Sequence, residues 1–292
     1  MRSAPAVPPD PPPLEVAADT YLLRGAHPVA GAPLVVGCNA LVIRGAQPAV
    51  IDLGAPRHHD RWLAELAALV DPAAVRWLVL TQGAAHHHGR LVEVLQHCQN
   101  AVLVTSWTGA LVGDGGSLPL ERQRWVDPGD RLEIGDRELR VLLPPVYASP
   151  RARALFDPTT RVLWACDAFA TPVPPAGVDH VGQLSPSLWL EGMAMLGHHA
   201  IAPWLATVDR AAHRAHVDRL QDLGAEVVVG AHTPVITGPG LEAAFAHLAS
   251  LPDLVPPPHP ASMAGGLALF EHPPVADAGD VDGHTNEEGV AP

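Results

Sequence analysis

Short apolar runs closed by glycine open the folded part of the chain. TYLLRG, PLVVG, NALVIRG and PAVIDLG are rich in β-branched residues and predict four strands in quick succession. The period then changes. In RHHDRWLAELAALV, Trp62, Leu63, Leu66 and Leu69 recur at helical spacing and predict a helix over 57–70. The same pattern predicts strands at 76–81, 101–105, 130–135, 139–143, 161–166 and 226–230. Helices are expected at 88–98, 186–199, 208–223 and 240–250. Both halves of the chain contain strands and helices. That order suits an α/β fold in which two mixed sheets pack face to face with helices outside them.

Composition sets the limits of this unit. Residues 1–13 are proline-rich, and residues 252–292 are rich in Pro, Gly and acid with little to bury. Both segments are expected to be disordered, leaving a single domain over 14–251. All 18 basic residues are arginine, and the formal net charge is −13. Nucleic acids and anionic membrane surfaces reward clustered cations, and no basic stripe is present, so neither is expected as a partner. No apolar run approaches the roughly 20 residues that span a bilayer. The N-terminus lacks the apolar core of a signal peptide. Cys38, Cys98 and Cys166 are widely spaced, and no CxxC occurs. A disulfide framework is therefore not expected, and a reducing, cytoplasmic setting fits.

Candidate chemistry concentrates in VRWLVLTQGAAHHHGRLVEVL, where an apolar strand enters a turn bearing His86, His87 and His88. Histidine pairs recur at His58–His59 and His198–His199, so a pair alone says little. The glycine-rich GDGGS at 113–117 lacks the Gly-Lys-Ser/Thr of a phosphate loop and reads as a turn. No Gly-x-Ser-x-Gly elbow is present. The cysteines read as core residues.

Three stretches lift the histidine turn above its background. GCNALVIRGAQPAVIDLG, LWACDAFA and VVVGAHTPVI resemble segments of the metallo-β-lactamase-fold diiron domain of A-type flavoproteins, the flavodiiron proteins. The likeness runs over about 18–250 and implies an αββα sandwich. The resemblance also implies a ligand map. The family turn, His-x-Glu-x-Asp-His-x-Gly, places Gln82 at its first His, Ala84 at its Glu, His86 at its Asp, and His87 at its second His. In PVYASPRARALFDP, Ala148 falls where a further His is expected. Asp167 and His232 match the last two ligands.

Thus the resemblance implies one emptied metal pocket, at Gln82, Ala84 and Ala148, and one that keeps donors at His86, His87, Asp167 and His232. Asp52 is expected to brace the site, and His88 to point away. Three imidazoles and one carboxylate suit one divalent ion, iron or zinc. The expected function is metal-dependent hydrolysis of a small substrate, or binding of O2 or NO at iron. A separate flavodoxin or rubredoxin-like electron donor would then be a partner, no flavin is expected in this chain, and a homodimer is compatible. The alternative is a metal-free, non-catalytic relative with a binding or regulatory role. A third reading keeps two metals, with Gln82 and a distant His replacing the lost ligands. One of His198 and His199 either approaches the pocket or faces solvent.

Overall fold

The computed structural model describes residues 12–29, 32–112, 116, 118–175 and 177–255. The glycine-rich stretch (apart from Gly116), the tail beyond residue 255 and most of the Pro-rich start lie outside the described residues.

The chain opens with β1 (Leu14–Ala17), β2 (Thr20–Leu23), β3 (Ala26–Pro28), β4 (Val35–Gly37), β5 (Ala40–Ile43) and β6 (Ala49–Ile51). Helix α1 (His59–Leu69), strand β7 (Trp77–Val79) and helices α2 (Ala85–His88) and α3 (Leu91–His97) follow. Next come β8 (Val102–Thr105), α4 (Trp107–Leu111) and β9 (Gln123–Trp125). The second half runs β10 (Arg131–Glu133), β11 (Glu138–Leu142), β12 (Ala154–Asp157), β13 (Val162–Trp164) and β14 (Pro172–Val173). Helices α5 (Pro186–Leu196) and α6 (Arg210–Gln221), strands β15 (Val227–Gly230) and β16 (Thr233–Thr237), and helix α7 (Pro239–Ser250) complete it.

Among the described residues these strands form a seven-stranded sheet, β1-β2-β5-β6-β7-β8-β9, and a six-stranded sheet, β10-β11-β12-β13-β15-β16. Both are mixed: β6 to β9 pair in parallel, as do β13 and β15, and the other neighbours are antiparallel. A small third sheet, β14-β4-β3, was not expected.

The layers follow from period-two alternation in strands buried on both faces. Leu41, Ile43, Ala49 and Ile51 meet Leu139, Val141, Leu155 and Trp164 between the two large sheets. Their neighbours Val42 and Val50 point the other way, onto Trp62 and Leu66 of α1 and Val94 of α3. On the far side, Phe156, Leu163 and Val228 pack against Trp189, Val217 and Phe245 of α5, α6 and α7. The result is helix, sheet, sheet, helix. No helix among the described residues is long and apolar enough to cross a membrane.

Two expected helices differ in detail. The one expected at 88–98 is α3, Leu91–His97, and a separate short helix that was not expected, α2, precedes it across Gly89. Gly89 has φ +53°, and a Cβ there would stand 2.7 Å from Leu53 Cβ and 2.9 Å from the Leu53 carbonyl oxygen. That close approach is fixed by the Leu53 N–H, which donates to the His87 carbonyl at 2.7 Å. Gly89→Ala is expected to lower stability by about 1–3 kcal/mol through backbone strain and overpacking, read by urea unfolding. The other, α5, widens after Leu196 into a π-helical turn, Gly197–Ile201.

Candidate metal centre

Parallel pairing gathers the site at strand ends. Asp52 follows β6, the histidine turn follows β7, Asp167 follows β13, and His232 sits in the hairpin between β15 and β16. Three non-glycine residues here hold positive φ: Asp52 (56°), Cys166 (55°) and Phe169 (66°). Such conformations cost about 1–3 kcal/mol each and collect where the surrounding structure must aim a side chain.

His86, His87, Asp167 and His232 come together, with one donor atom from each lying within 4.8 Å of the others. The imidazole centroids of His86 and His87 are 4.7 Å apart, those of His86 and His232 are 4.6 Å apart, and those of His87 and His232 are 5.2 Å apart. His87 and Asp167 are buried at 0% and 1% exposure, and His232 at 6%. His86 is half-buried.

The hydrogen bonds orient these rings. His87 Nδ1 donates to Asp52 Oδ2 at 2.7 Å, and its Nε2 faces Asp167 Oδ1 at 2.8 Å. Asp52 is itself fixed by the Thr81 N–H (2.7 Å) and the Thr81 hydroxyl (2.5 Å). His232 Nδ1 donates to the Gly37 carbonyl at 2.5 Å. That bond assigns the ring proton to Nδ1 and leaves Nε2 with a bare lone pair. The Nε2 atom is buried without a hydrogen-bond partner and points at Asp167 Oδ1 from 3.4 Å. Asn39 braces this corner, its side-chain amide donating to the carbonyls of Gly230 (2.9 Å) and Thr233 (3.1 Å).

Asp167 therefore has two differently used oxygens. Oδ1 meets His87 and His232, whereas Oδ2 accepts from Gln82 Nε2 at 2.7 Å. Gln82 Oε1 in turn accepts the Ala84 N–H at 2.9 Å.

Charge follows geometry. Burial alone would lower the His87 pKa, but the flanking Asp167 and Asp52 carboxylates outweigh it and push it up to about 10. Burial would raise the Asp167 carboxyl, but His87, His232 and the Gln82 amide hold it well below the usual carboxylate range. His232 and His86 are both pushed down, first by burial and then by the neighbouring histidines. Without a metal, one proton on His87 sits between two carboxylates, and the other two imidazoles are neutral.

No family model matches the chain. Among curated proteins it is similar to putative diflavin flavoprotein A 1 of Thermosynechococcus vestitus, with 29% identity over 133 residues. That match covers 45% of this chain and 23% of the relative. A type A flavoprotein of Rhodobacter capsulatus is 28% identical over 141 residues, 46% of this chain and 32% of the relative. The matched region is thus a third or less of the length of these relatives. Among solved structures, rubredoxin oxygen:oxidoreductase from Desulfovibrio gigas superposes with a TM-score of 0.70 at 16% identity, covering 82% of this chain and 61% of that one. A fragment of putative diflavin flavoprotein A 5 from Nostoc sp. PCC 7120 gives 0.67 at 19% identity, with 82% of this chain and 94% of that one covered. This chain has the metallo-β-lactamase fold of the flavodiiron proteins. The curated matches extend that resemblance to the sequence.

Within this metallo-β-lactamase fold, the remaining expected positions fall as follows. Ala84 is the residue before α2, and Ala148 lies exposed in the loop between β11 and β12. His198 is in the π-helical turn and bonds the Leu251 carbonyl at 3.0 Å, outside the His/Asp cluster. The three cysteines are buried and free. Burial pushes the thiols of Cys38 and Cys98 up to about 12 and about 11, and Cys166 well above its ordinary value, so they stay neutral as core residues do.

Sequence reading missed three contributors. Gln82 reads as a lost ligand, yet it holds the free oxygen of Asp167. Thr81 fixes Asp52. Arg151 lays its guanidinium against Gly83 in the same turn. Only the first had a signal in the sequence, a polar residue retained beside two alanines.

Proposed function

We propose that this chain holds one divalent metal ion between His86, His87, Asp167 and His232. The observation that carries this reading is the His232 lone pair, buried without a partner and aimed at a carboxylate oxygen. Two electron-rich atoms facing each other at 3.4 Å repel unless a cation lies between them. The donor set fits: three neutral imidazole nitrogens and one carboxylate suit zinc or iron. His87 is oriented by Asp52 through the opposite ring nitrogen, the usual carboxylate–histidine support of a metal ligand.

The Gln82 amide on Asp167 Oδ2 supports one ion rather than two. A carboxylate bridging two metals offers each an oxygen, and here the second oxygen accepts a hydrogen bond. Gln82, Ala84 and Ala148 are then the positions of an emptied second pocket, and the two-metal reading is disfavoured.

When bound, such an ion supplies Lewis acidity for hydrolysis of a small substrate or, as iron, a place for O2 or NO. The chain's own residues do the rest. Asp52 keeps the His87 proton on Nδ1, Gln82 keeps Asp167 from turning, and Gly37 fixes the His232 ring. The solved relative named rubredoxin oxygen:oxidoreductase makes O2 with a rubredoxin-type donor the expectation if the ion is iron. Zinc would favour hydrolysis.

One observation favours a second reading. The Asp52–His87–Asp167 relay is already satisfied by a proton, as a metal-free binding or regulatory member of the fold would need. Plasma mass spectrometry on tag-free protein, expressed with both iron and zinc supplied, separates the two. The expected result is about one ion per chain in the wild type and almost none in Asp167→Ala. Metal absent from both proteins would leave the metal-free reading standing.

A further inference from the structure

Each large sheet supplies two of the four donors. His86 and His87 belong to the turn after β7 in the seven-stranded sheet, with Asp52 beside them after β6. Asp167 and His232 belong to the six-stranded sheet, after β13 and after β15. The spacing of the donors therefore depends on how the sheets are held together at this end. Hydrogen bonds cross between them near the histidine turn. Gln82 Nε2 donates to Asp167 Oδ2 at 2.7 Å, and the Arg153 N–H, just before β12, donates to the Thr81 carbonyl at 2.9 Å. The Trp164 indole N–H donates to the Thr81 hydroxyl oxygen at 3.3 Å.

The indole bond reaches furthest into the site. Trp164 ends β13, three residues before Asp167, and is fully buried with Ile51, Leu155 and Val229 between the sheets. An indole has one polar atom, and a buried one needs an acceptor. Here the acceptor is the hydroxyl that itself donates to Asp52 Oδ2 at 2.5 Å. Trp164 can only donate and an ionised Asp52 can only accept, so the Thr81 proton turns toward Asp52. The carboxylate outcompetes Cys166 Sγ, 3.5 Å from the same hydroxyl. Asp52 then accepts from His87 Nδ1, and His87 Nε2 faces Asp167. The chain of bonds thus starts on the strand that carries Asp167 and ends on the ring that faces Asp167.

We propose that Trp164 is a positioning residue of this centre: its indole N–H, acting through Thr81 and Asp52, sets the His87 ring against Asp167. The placing of Thr81, Asp52 and His87 holds with or without an ion, whereas the effect on metal binding rests on the single-metal reading.

The test is a double-mutant cycle. Zinc affinity, by competition with a chromophoric chelator, is measured for wild type, Trp164→Phe, Thr81→Val and the double variant, with folding checked by circular dichroism. A partner bonded directly to a ligand is worth about ten- to a hundredfold in metal affinity, and Trp164 acts from further out. Trp164→Phe is therefore expected to weaken zinc binding about three- to tenfold. In the Thr81→Val background the same change should weaken it no further, because the N–H has lost its route to Asp52. A packing role gives the opposite pattern, in which the two factors multiply. Multiplying factors, or wild-type affinity in Trp164→Phe, would overturn the proposal. Where Trp164→Phe does not fold, the sulfur isostere of tryptophan at position 164, which keeps the ring shape and lacks the N–H, takes its place. The same cycle is read by urea unfolding of the metal-free protein, with a coupling of about threefold or more expected in the unfolding constant. If wild type takes up no zinc, the single-metal reading fails and this arm alone decides: coupling sustains the role of Trp164, and additive losses overturn it.

Discussion

Asp52→Asn will cost the metal-free protein about 3–5 kcal/mol, the usual penalty for breaking a buried ion pair from one side. Asp52 is completely buried and accepts three hydrogen bonds, from the Thr81 N–H, the Thr81 hydroxyl and His87 Nδ1. Asparagine keeps the shape and tolerates the left-handed backbone found there, φ 56°. Its NH2 must nevertheless face either the Thr81 N–H or the pair of donors at Oδ2. The loss is therefore electrostatic rather than conformational. Urea unfolding at neutral pH, with chelator present, reads it directly. A loss below about 1 kcal/mol, the level of an ordinary neutral hydrogen bond, would mean that the relay carries no buried charge.

The second large effect is a decline in stability at alkaline pH that metal removes. His87 has its pKa raised from 6.5 to about 10 in the folded chain. A raised pKa means that the folded state holds this proton more tightly than the unfolded state. Its contribution is fully present below pH 6.5 and fades as pH rises through about 10. The contribution is on the order of 4–5 kcal/mol at its fullest. His86 and His232 act in the opposite sense, since their pKa values are depressed. Their contribution is present above the unfolded value and lost as pH falls. Metal-free protein should therefore be most stable near neutrality and weaken to either side. In metal-loaded protein the ion has already displaced the His87 proton, so the alkaline decline should be absent. Melting temperatures from pH 6 to 10, with and without added zinc, decide it. Parallel curves would show that ion and proton do not compete for His87.

Much of this was legible from residue order. Strands such as β5 and β6 are buried on both faces and so read as unbroken apolar runs. Helices α1, α5, α6 and α7 carry their apolar stripes openly. What escaped was short or locally unremarkable. β3 and β14 have three and two residues and each includes a proline, so no periodicity could reveal them. α2 escaped because a four-residue helix in a histidine-rich turn shows no apolar period. At the site, the register of a resemblance singled out His86, His87, Asp167 and His232, and the fold brings these four together. The work of Gln82 was hinted at only by its polarity, because its partner, Asp167, lies 85 residues away. Arg151 was invisible for the same reason: its seat is an absent side chain on a distant segment. Sequence displays what a residue can donate or accept, whereas the fold decides what stands opposite.

The relay from Thr81 through Asp52 and His87 to Asp167 also bears on ancestry. A pocket that exchanges a divalent ion for a proton keeps its two buried carboxylates, Asp52 and Asp167, fully balanced in one state and half balanced, by the His87 proton, in the other. Its bearer need not pass through an unfolded form to lose the ion, or to regain it. On the single-metal proposal, Asp52, His87 and Asp167 serve folding with or without the ion, so substitutions at other ligand positions would remove the metal and leave the fold standing. Persistence of those three residues in a descendant would record the need to fold, and only the lone pair of His232 would record the ion.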